Sequence, residues 1–506
     1  MEEGGISMNN KSNKQAREDL GTRLKICLVN PGKLSKTQPP LALAYLAAYL
    51  RKYGGYNYEI KIADENAGEN IFKVIKNFKP HIVGITATTF QIARASEIAS
   101  YTKKEDKNIL TIIGGVHVTA LPEFTLRTTD FDIAVIREGE ETFRELVDKF
   151  ISREGVFSLE DLKTIKGIAY KWDGIFINEE RGFIENLDNI PFPARDLLDM
   201  DFYLQPGIVI KAFPPLSSAT IITARGCPYD CIYCGNPYLY KRKVRFHSPE
   251  RMVSEVEYLV REYNVKSFYF VDDILTLNKK RIRRFCELLI EKDLYKSIIW
   301  SCQGRANLVT EKDLELYKLM KRAGCIQLEF GFESGSERVL GFLKNHSVTV
   351  SQNQVAINII KKLRMRIIGY FMIGTAGETK EEMLETQDFI NKNLNTLDSF
   401  QIGYTTPYPG SKLWDLYSVD KNVTEKLWEE YVPYFKFNNF TKVLKSFGSM
   451  KDINLKAARE IERQINSLCF THLPFRYKIN RILPWLRHNP KALIIMLFEY
   501  LKQKFK

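Results

Sequence analysis

Cys227, Cys231 and Cys234 stand in the run Ala224-Arg225-Gly226-Cys227-Pro228-Tyr229-Asp230-Cys231-Ile232-Tyr233-Cys234. Three thiolates at CxxxCxxC spacing can hold three corners of a cubane [4Fe–4S] cluster, which needs four ligands. The run contains no fourth cysteine, so one iron keeps an open position, and an open iron is a reaction site. Zinc would ask for a fourth Cys or His at compact spacing, and the nearest, His247, lies well outside the loop. A disulfide framework fits worse: a 506-residue chain with eight cysteines, most of them in apolar segments, reads as reduced and intracellular.

The elements that position this loop come in two alternating series. In the first, strands are expected at Leu24–Val29, Tyr58–Ala63, Ile82–Thr86, Ile109–Ile113 and Ile133–Ile136, with helical patterns such as Leu41–Tyr53 between them. That alternation predicts an α/β, doubly wound parallel sheet of Rossmann-like form. Ligands bind such sheets at the carboxyl ends of the strands, where the chain places Gly84, Thr86 and Thr88, then Gly114-Gly115-Val116-His117. A connector follows, with two alternating runs around Asp173-Gly174 that signal a hairpin, and then the breaker Pro191-Phe192-Pro193.

The second series predicts strands at Ile221–Ala224, Ser267–Val271, Ile298–Cys302, Ile326–Phe332, Ile367–Ile373 and Ser399–Tyr404, separated by helices at Pro249–Tyr263, Lys279–Glu291, Glu311–Ala323, Ser351–Leu363 and Lys380–Asn393. Six βα units make a partial (β/α)6, TIM-type barrel, whose reactive groups sit at the carboxyl ends of the strands. Asp272-Asp273, Arg305, Glu333-Ser334 and the glycine-bracketed turn Gly374-Thr375-Ala376-Gly377 fall at such ends. For the two aspartates, helix capping or a solvated turn is the plain alternative. Cys286, Cys302, Cys325 and Cys469 lie in apolar patterns and read as core thiols.

The cysteine motif, with Tyr233 before its last cysteine, resembles the signature of the radical S-adenosylmethionine (SAM) superfamily. Pro39-Pro40-Leu41, Asp64, Gly114-Gly115-Val116-His117 and Glu138-Gly139-Glu140-Glu141-Thr142-Phe143 resemble the cobalamin-binding domain that precedes the radical SAM core in one large subfamily. The resemblance spans about Leu24 to Leu413. It implies a cluster held by Cys227, Cys231 and Cys234, and SAM contacted by Tyr233, Asp272, Asp273, Arg305, Glu333, Ser334, Gly374 and Gly377. It also implies cobalamin against Gly84, Thr86, Thr88, Gly114, Gly115, His117 and Glu138. No Asp-x-His-x-x-Gly loop is present, so the resemblance implies cobalamin without a histidine lower ligand from that loop, and His117 is expected to line the site. The implied activity is reductive SAM cleavage followed by functionalisation of an unactivated carbon, C-methylation first, with radical cyclisation or rearrangement of a lipid or tetrapyrrole-like substrate as the rival. A reductant such as a ferredoxin or flavodoxin is implied too.

The expected division is a disordered leader (1–22), the cobalamin-binding domain (23–150), a connector (151–216), the radical SAM core (217–414) and a helical C-terminal extension (415–506). The leader has no apolar h-region and does not read as a signal peptide, and no run reaches the ~18–20 apolar residues of a membrane span. The net charge of +13 is spread along the chain and reads as solvated surface, so no nucleic acid is expected. Its exception is Leu473–Lys506, a basic amphipathic stretch that fits a membrane interface or a helix packed on its own domain. The expected location is cytoplasmic, with peripheral membrane contact open and a small molecule or lipid as substrate. A tRNA methylthiotransferase would need an upstream cysteine triad, and Cys27 is the lone cysteine before Cys227. A non-catalytic corrinoid-binding protein is the remaining alternative.

Overall fold

The computed structural model describes residues 23–32, 38–205, 216–417 and 455–472. Its first sheet contains β1 (Leu24–Asn30), β2 (Tyr58–Asp64), β3 (Ile82–Thr86), β4 (Leu110–Gly114), β5 (Ile133–Val135), β6 (Ile168–Lys171) and β7 (Ile175–Ile177), in spatial order β2-β1-β3-β4-β5-β6-β7. The first five run parallel. Their near-continuous apolar runs suit strands covered on both faces. Leu24, Ile26 and Leu28 of β1 pack beneath the helices Leu41–Tyr53 and Glu140–Ser152. The alternate residues Cys27 and Val29 pack against Ile71–Phe78 and Ile92–Glu105. The strand order reverses between β1 and β3, the switch point at which open α/β sheets take ligands.

The hairpin assigned from sequence to the connector is the antiparallel end of this sheet: β6 pairs with β5 and β7 with β6. Alternation and the Asp-Gly turn locate a hairpin, but edge pairing is a tertiary choice that local pattern does not encode.

The second half of the chain holds β8 (Ser218–Ile221), β9 (Ala224–Arg225), β10 (Arg245–Phe246), β11 (Ser267–Phe270), β12 (Ile299–Gly304), β13 (Cys325–Glu333), β14 (Arg366–Ile373) and β15 (Ser399–Tyr404). β8 and β11–β15 form one parallel sheet in chain order, open between β8 and β15 as in a partial barrel. One face buries Phe268, Phe270, Trp300, Leu328, Phe330 and Phe332 against the helices. Residues of the opposite face, Tyr269, Gln303, Glu329 and Tyr370, hydrogen-bond to one another. Cys286, Cys302 and Cys325 are buried core thiols as expected, while the Cys469 side chain lies outside the described residues.

The first barrel strand ends earlier than its apolar run suggests. It is Ser218–Ile221, and Ala224–Arg225 pairs instead with Arg245–Phe246 in a short antiparallel ribbon. The buried carboxylate of Asp272 explains the break: it accepts the amide hydrogens of Thr223 at 2.5 Å and Ala224 at 3.0 Å, turning the chain out of the sheet just before the cysteines.

The helix Leu455–His472 buries Ala457, Ala458, Ile461 and Ile465 against the barrel core. The leader 1–22 and the basic stretch Leu473–Lys506 lie outside the described residues. Among the described residues no helix is long and apolar enough to cross a membrane.

Candidate active site between the two sheets

Gly226 opens the cysteine loop with φ +90°, and a Cβ there would lie 2.0 Å from the Lys243 carbonyl oxygen, so this turn requires glycine. The loop is fastened from outside. The Ile232 amide donates to the Leu343 carbonyl at 3.0 Å, and the Leu413 amide donates to the Ile232 carbonyl at 2.7 Å. Arg305 Nη1 donates to Cys231 Sγ at 3.4 Å, with its guanidinium 3.7 Å from the centre of the Tyr229 ring. The Asn236 amide donates to Cys234 Sγ, also at 3.4 Å.

Burial pushes the Cys234 thiol up to about 12 and raises Cys227 as well. A cation at the sulfurs reverses that preference, because a coordinating thiol is deprotonated outright. Among the described residues no three His, Cys, Asp or Glu side chains converge closely enough to share one metal ion. The donor set, three cysteines with an arginine and an amide directed at sulfur, fits the cluster.

The acids at the strand ends divide into two kinds. Glu333 ends β13 in a left-handed conformation (φ 61°), where the β13–β14 register shifts. Its Oε1 accepts from Tyr233 Oη and Lys344 Nζ, each at 2.8 Å, and all three groups stand beside the cysteine loop. Asp273 lines the cavity described below and accepts from Asn236 Nδ2 at 2.6 Å. Crowding by surrounding protein raises its carboxyl pKa, although the side chain still reaches solvent at the cavity mouth.

Asp272 does not join them. It is fully buried, and besides the two amides it accepts from the Thr223 hydroxyl, so it shapes the loop from behind. Ser334 is likewise turned inward, bonded to the Thr386 hydroxyl at 3.0 Å. Gly374 and Gly377 take φ 74° and 70° and form the expected turn after β14.

A cavity of about 430 Å³ lies between the sheets. Its first wall is Leu28, Gly84–Thr86, Gly114, Gly115 and Val135, all at the carboxyl ends of the first sheet, with Tyr45 and Leu46 beside them. Its second wall is Ala224–Gly226, Asn236, Tyr240 and Asp273, which flank the cysteines. At Gly84 a Cβ would meet Leu28 Cδ2 at 3.0 Å, and at Gly115 it would meet the Ala87 carbonyl at 2.6 Å, so these two glycines pack tightly against protein; at Gly114 the nearest atom is Val135 Cβ at 4.0 Å, and bare backbone there leaves room for a ligand. A largely apolar bowl with bare backbone at Gly114 fits a flat, bulky group such as a corrinoid.

Of the residues expected to contact cobalamin, Gly84, Thr86, Gly114, Gly115 and Glu138 border this bowl. Thr88 and His117 do not. Thr88 caps its own turn through Gln91 Oε1, and His117 is buried in the short helix Val116–Ala120 with Nδ1 3.2 Å from the Thr89 hydroxyl. Burial pushes that imidazole down to about 4 and keeps it neutral. The Gly115 turn starts this helix, so Val116 faces the bowl in place of His117.

Arg137, Glu140, Arg225 and Arg245 were missed from the sequence. Glu138 is paired with Arg245 at 2.7 Å and Arg225 at 3.1 Å, and Glu140 is paired with Arg225. Two acids bracketing a glycine after a strand carried the signal, since buried carboxylates need cations.

A chamber walled on one side by the ligand end of a doubly wound sheet and on the other by a CxxxCxxC loop on a partial barrel defines a two-cofactor enzyme. Comparison with known proteins agrees. Residues 29–147 match the B12 binding domain model and residues 221–390 the Radical SAM superfamily model. An uncharacterized methyltransferase of Pyrococcus horikoshii is 37% identical over 435 residues, covering 83% of this chain and 89% of its own. An anaerobic magnesium-protoporphyrin IX monomethyl ester cyclase of Rubrivivax gelatinosus is 30% identical, covering 80% and 70%. The chain therefore belongs to the radical SAM superfamily, in its B12-binding-domain branch. Its fold matches the radical SAM methyltransferase TsrM of Kitasatospora setae, solved with cobalamin and a [4Fe-4S] cluster, at a TM-score of 0.63 and 15% identity over 80% of this chain and 79% of that one.

Proposed function

We propose that this protein is a cobalamin-dependent radical SAM enzyme that methylates an unactivated carbon of a small-molecule or lipid substrate, with electrons from a ferredoxin or flavodoxin. The observation that carries the reading is the shared cavity, bordered by the glycine-bearing ends of β3 and β4 and by the residues on both sides of Cys227–Cys234. Cys227, Cys231 and Cys234 are the proposed cluster ligands, and Gly84, Thr86, Gly114 and Gly115 the proposed corrinoid contacts. When bound, the cluster, SAM and cobalamin supply radical hydrogen abstraction and methyl delivery, as cofactors carry the chemistry that side chains cannot.

The side chains have narrower tasks. Glu333, charged against Lys344 and bonded to Tyr233, is the proposed anchor for a cationic amino group at the barrel mouth. Arg305 holds Cys231 from one side and donates to the Ser347 hydroxyl at 2.5 Å from the other, which fixes the loop. Leu28, Tyr45, Leu46 and Phe143 give the bowl apolar walls that keep water from a reactive carbon.

Oxidative ring formation on the same scaffold is the second reading, favoured by the relative named as a cyclase. Anaerobic reconstitution with iron, sulfide and hydroxocobalamin, then reduction with SAM and substrate candidates, separates the two. S-adenosylhomocysteine formed alongside 5′-deoxyadenosine is the expected outcome, and deoxyadenosine alone would favour cyclisation. Loss of all corrinoid bands after gel filtration would sink the assignment of the first sheet.

A further inference from the structure

One turn of the first sheet grips both flanks of the cysteine loop. Upstream of Cys227, Arg225, its side chain 12% exposed, is paired with Glu138 and Glu140. Its ribbon partner Arg245 forms a two-pronged pair with Glu138, Nη2 to Oε1 at 2.7 Å and Nη1 to Oε2 at 2.9 Å. Downstream of Cys234, Arg137 donates to the main-chain carbonyls of Tyr238 and, at 2.6 Å, Leu239. The four residues Arg137–Glu140 are consecutive, and all four border the cavity.

This turn does more than dock one sheet on the other. Arg137 takes φ 67°, a conformation that costs a non-glycine residue energy and persists only where surroundings over-determine it. Its amide donates to the Thr119 hydroxyl at 2.9 Å, which ties the strained residue to the helix that follows Gly115. Docking is also served elsewhere, by the buried Arg195–Glu255 pair and its neighbours. Among the described residues, every charged partner of Arg137–Glu140 is on the loop's flanks or the strand beside it, except Glu180, which braces Arg137 at 3.0 Å.

We infer that Arg137-Glu138-Gly139-Glu140 is a positioning device that transmits occupancy of the corrinoid cavity to the cysteine loop. A corrinoid seated on this turn restrains it, and its three charged side chains restrain the loop at both ends. This inference rests on the cobalamin reading above.

The test uses the full-length protein with its cluster reconstituted, and hydrogen exchange read by mass spectrometry with and without hydroxocobalamin. In the wild type, hydroxocobalamin slows exchange across residues 224–240 by about tenfold, as expected when local opening is suppressed. In Glu138→Gln, compared at a hydroxocobalamin concentration that saturates its corrinoid bands, the slowing across 224–240 shrinks to about twofold or less, because Arg225 and Arg245 lose their shared carboxylate. A purely structural role would lower the melting temperature of the variant and leave the corrinoid-dependent slowing in place, and that result overturns the inference. Wild-type corrinoid bands without slowing at 224–240 overturn it as well, while the cobalamin reading stands. Absence of the bands from the wild type overturns both. Should Glu138→Gln not fold, Arg137→Lys keeps the charge but cannot span two carbonyls. The inference then requires its corrinoid-dependent slowing across 235–240 to be lost.

Discussion

Glu333 has the most demanding environment of the residues at the barrel mouth. It is buried, backbone-strained, and shared by a phenol and an ammonium that is itself buried. The two donors differ in what they leave behind when the contact is cut. Glu333→Gln strands the Lys344 charge, and breaking a buried pair at one partner costs about 3–5 kcal/mol. Tyr233→Phe removes one hydrogen bond to a charged acceptor, worth about 1.5–3 kcal/mol. Chemical denaturation of the apoprotein, followed on barrel peptides, should rank Glu333→Gln below Tyr233→Phe, with Lys344→Met restoring much of the loss when added to Glu333→Gln. Equal destabilisation by Glu333→Gln and Tyr233→Phe, with no recovery on adding Lys344→Met, would mean that Lys344 is hydrated and that the pair is not buried in solution.

At the scale of elements, the turn after β14 offers a pH test. Glu378 closes it by accepting the Thr375 amide at 2.8 Å, and burial pushes its carboxyl up to about 7 from an ordinary 4.5. The folded state therefore holds the proton more tightly than the unfolded chain. Below pH 4.5 both states are protonated and the contribution to stability is complete. As pH rises from 4.5 to 7 it is lost, by up to about 3 kcal/mol at 1.36 kcal/mol per unit. His117 and His247, both pushed down to about 4 mainly by burial, act oppositely: their contribution is complete above 6.5 and lost as pH falls toward 4. The difference between wild type and Glu378→Gln isolates the carboxyl, so urea midpoints should converge near pH 4.5 and favour the variant by pH 8. A pH-independent difference would refute the shift. The turn itself was legible, because Gly374 and Gly377 bracket it and the apolar run of β14 ends there. So were the cysteine loop and the strand alternation, which local spacing encodes. The early exit of β8 was not, since it depends on Asp272 reaching back to Thr223 and Ala224 across 48–49 positions of sequence. His117 was misplaced for a similar reason: glycines mark a ligand turn, but which side chain of the next helix faces the ligand depends on how that helix packs.

For the whole molecule the question is what keeps two sheets in register around one cavity. The segment after Pro191 acts as a strut. The Ala194 amide donates to the Ala44 carbonyl at 3.0 Å, on the first sheet's helix, and the next residue, Arg195, reaches the Thr220 carbonyl at 2.8 Å and Glu255 at 3.0 Å in the barrel. Arg195 and Glu255 are almost wholly buried, their side chains 1% and 3% exposed. In such a place desolvation offsets most of the attraction, so the pair adds little net stability compared with apolar residues of similar volume, yet either charge left alone is costly. Glu255→Gln should therefore lower the urea midpoint of barrel peptides by the equivalent of about 3–5 kcal/mol. The double variant Arg195→Met/Glu255→Leu should regain most of that loss. Full recovery is not expected, because Arg251 also faces Glu255 at 3.6 Å and keeps its stacking on Phe192 and its bond to the Ile190 carbonyl. Pulsed hydrogen exchange across a urea series reads peptides of β1–β5 and β11–β14 separately. If the strut carries the register, the two sets unfold at closer midpoints in the wild type than in Glu255→Gln, and the double variant draws them back together. A Glu255→Gln profile superimposable on the wild type would mean that this pair does not carry the register.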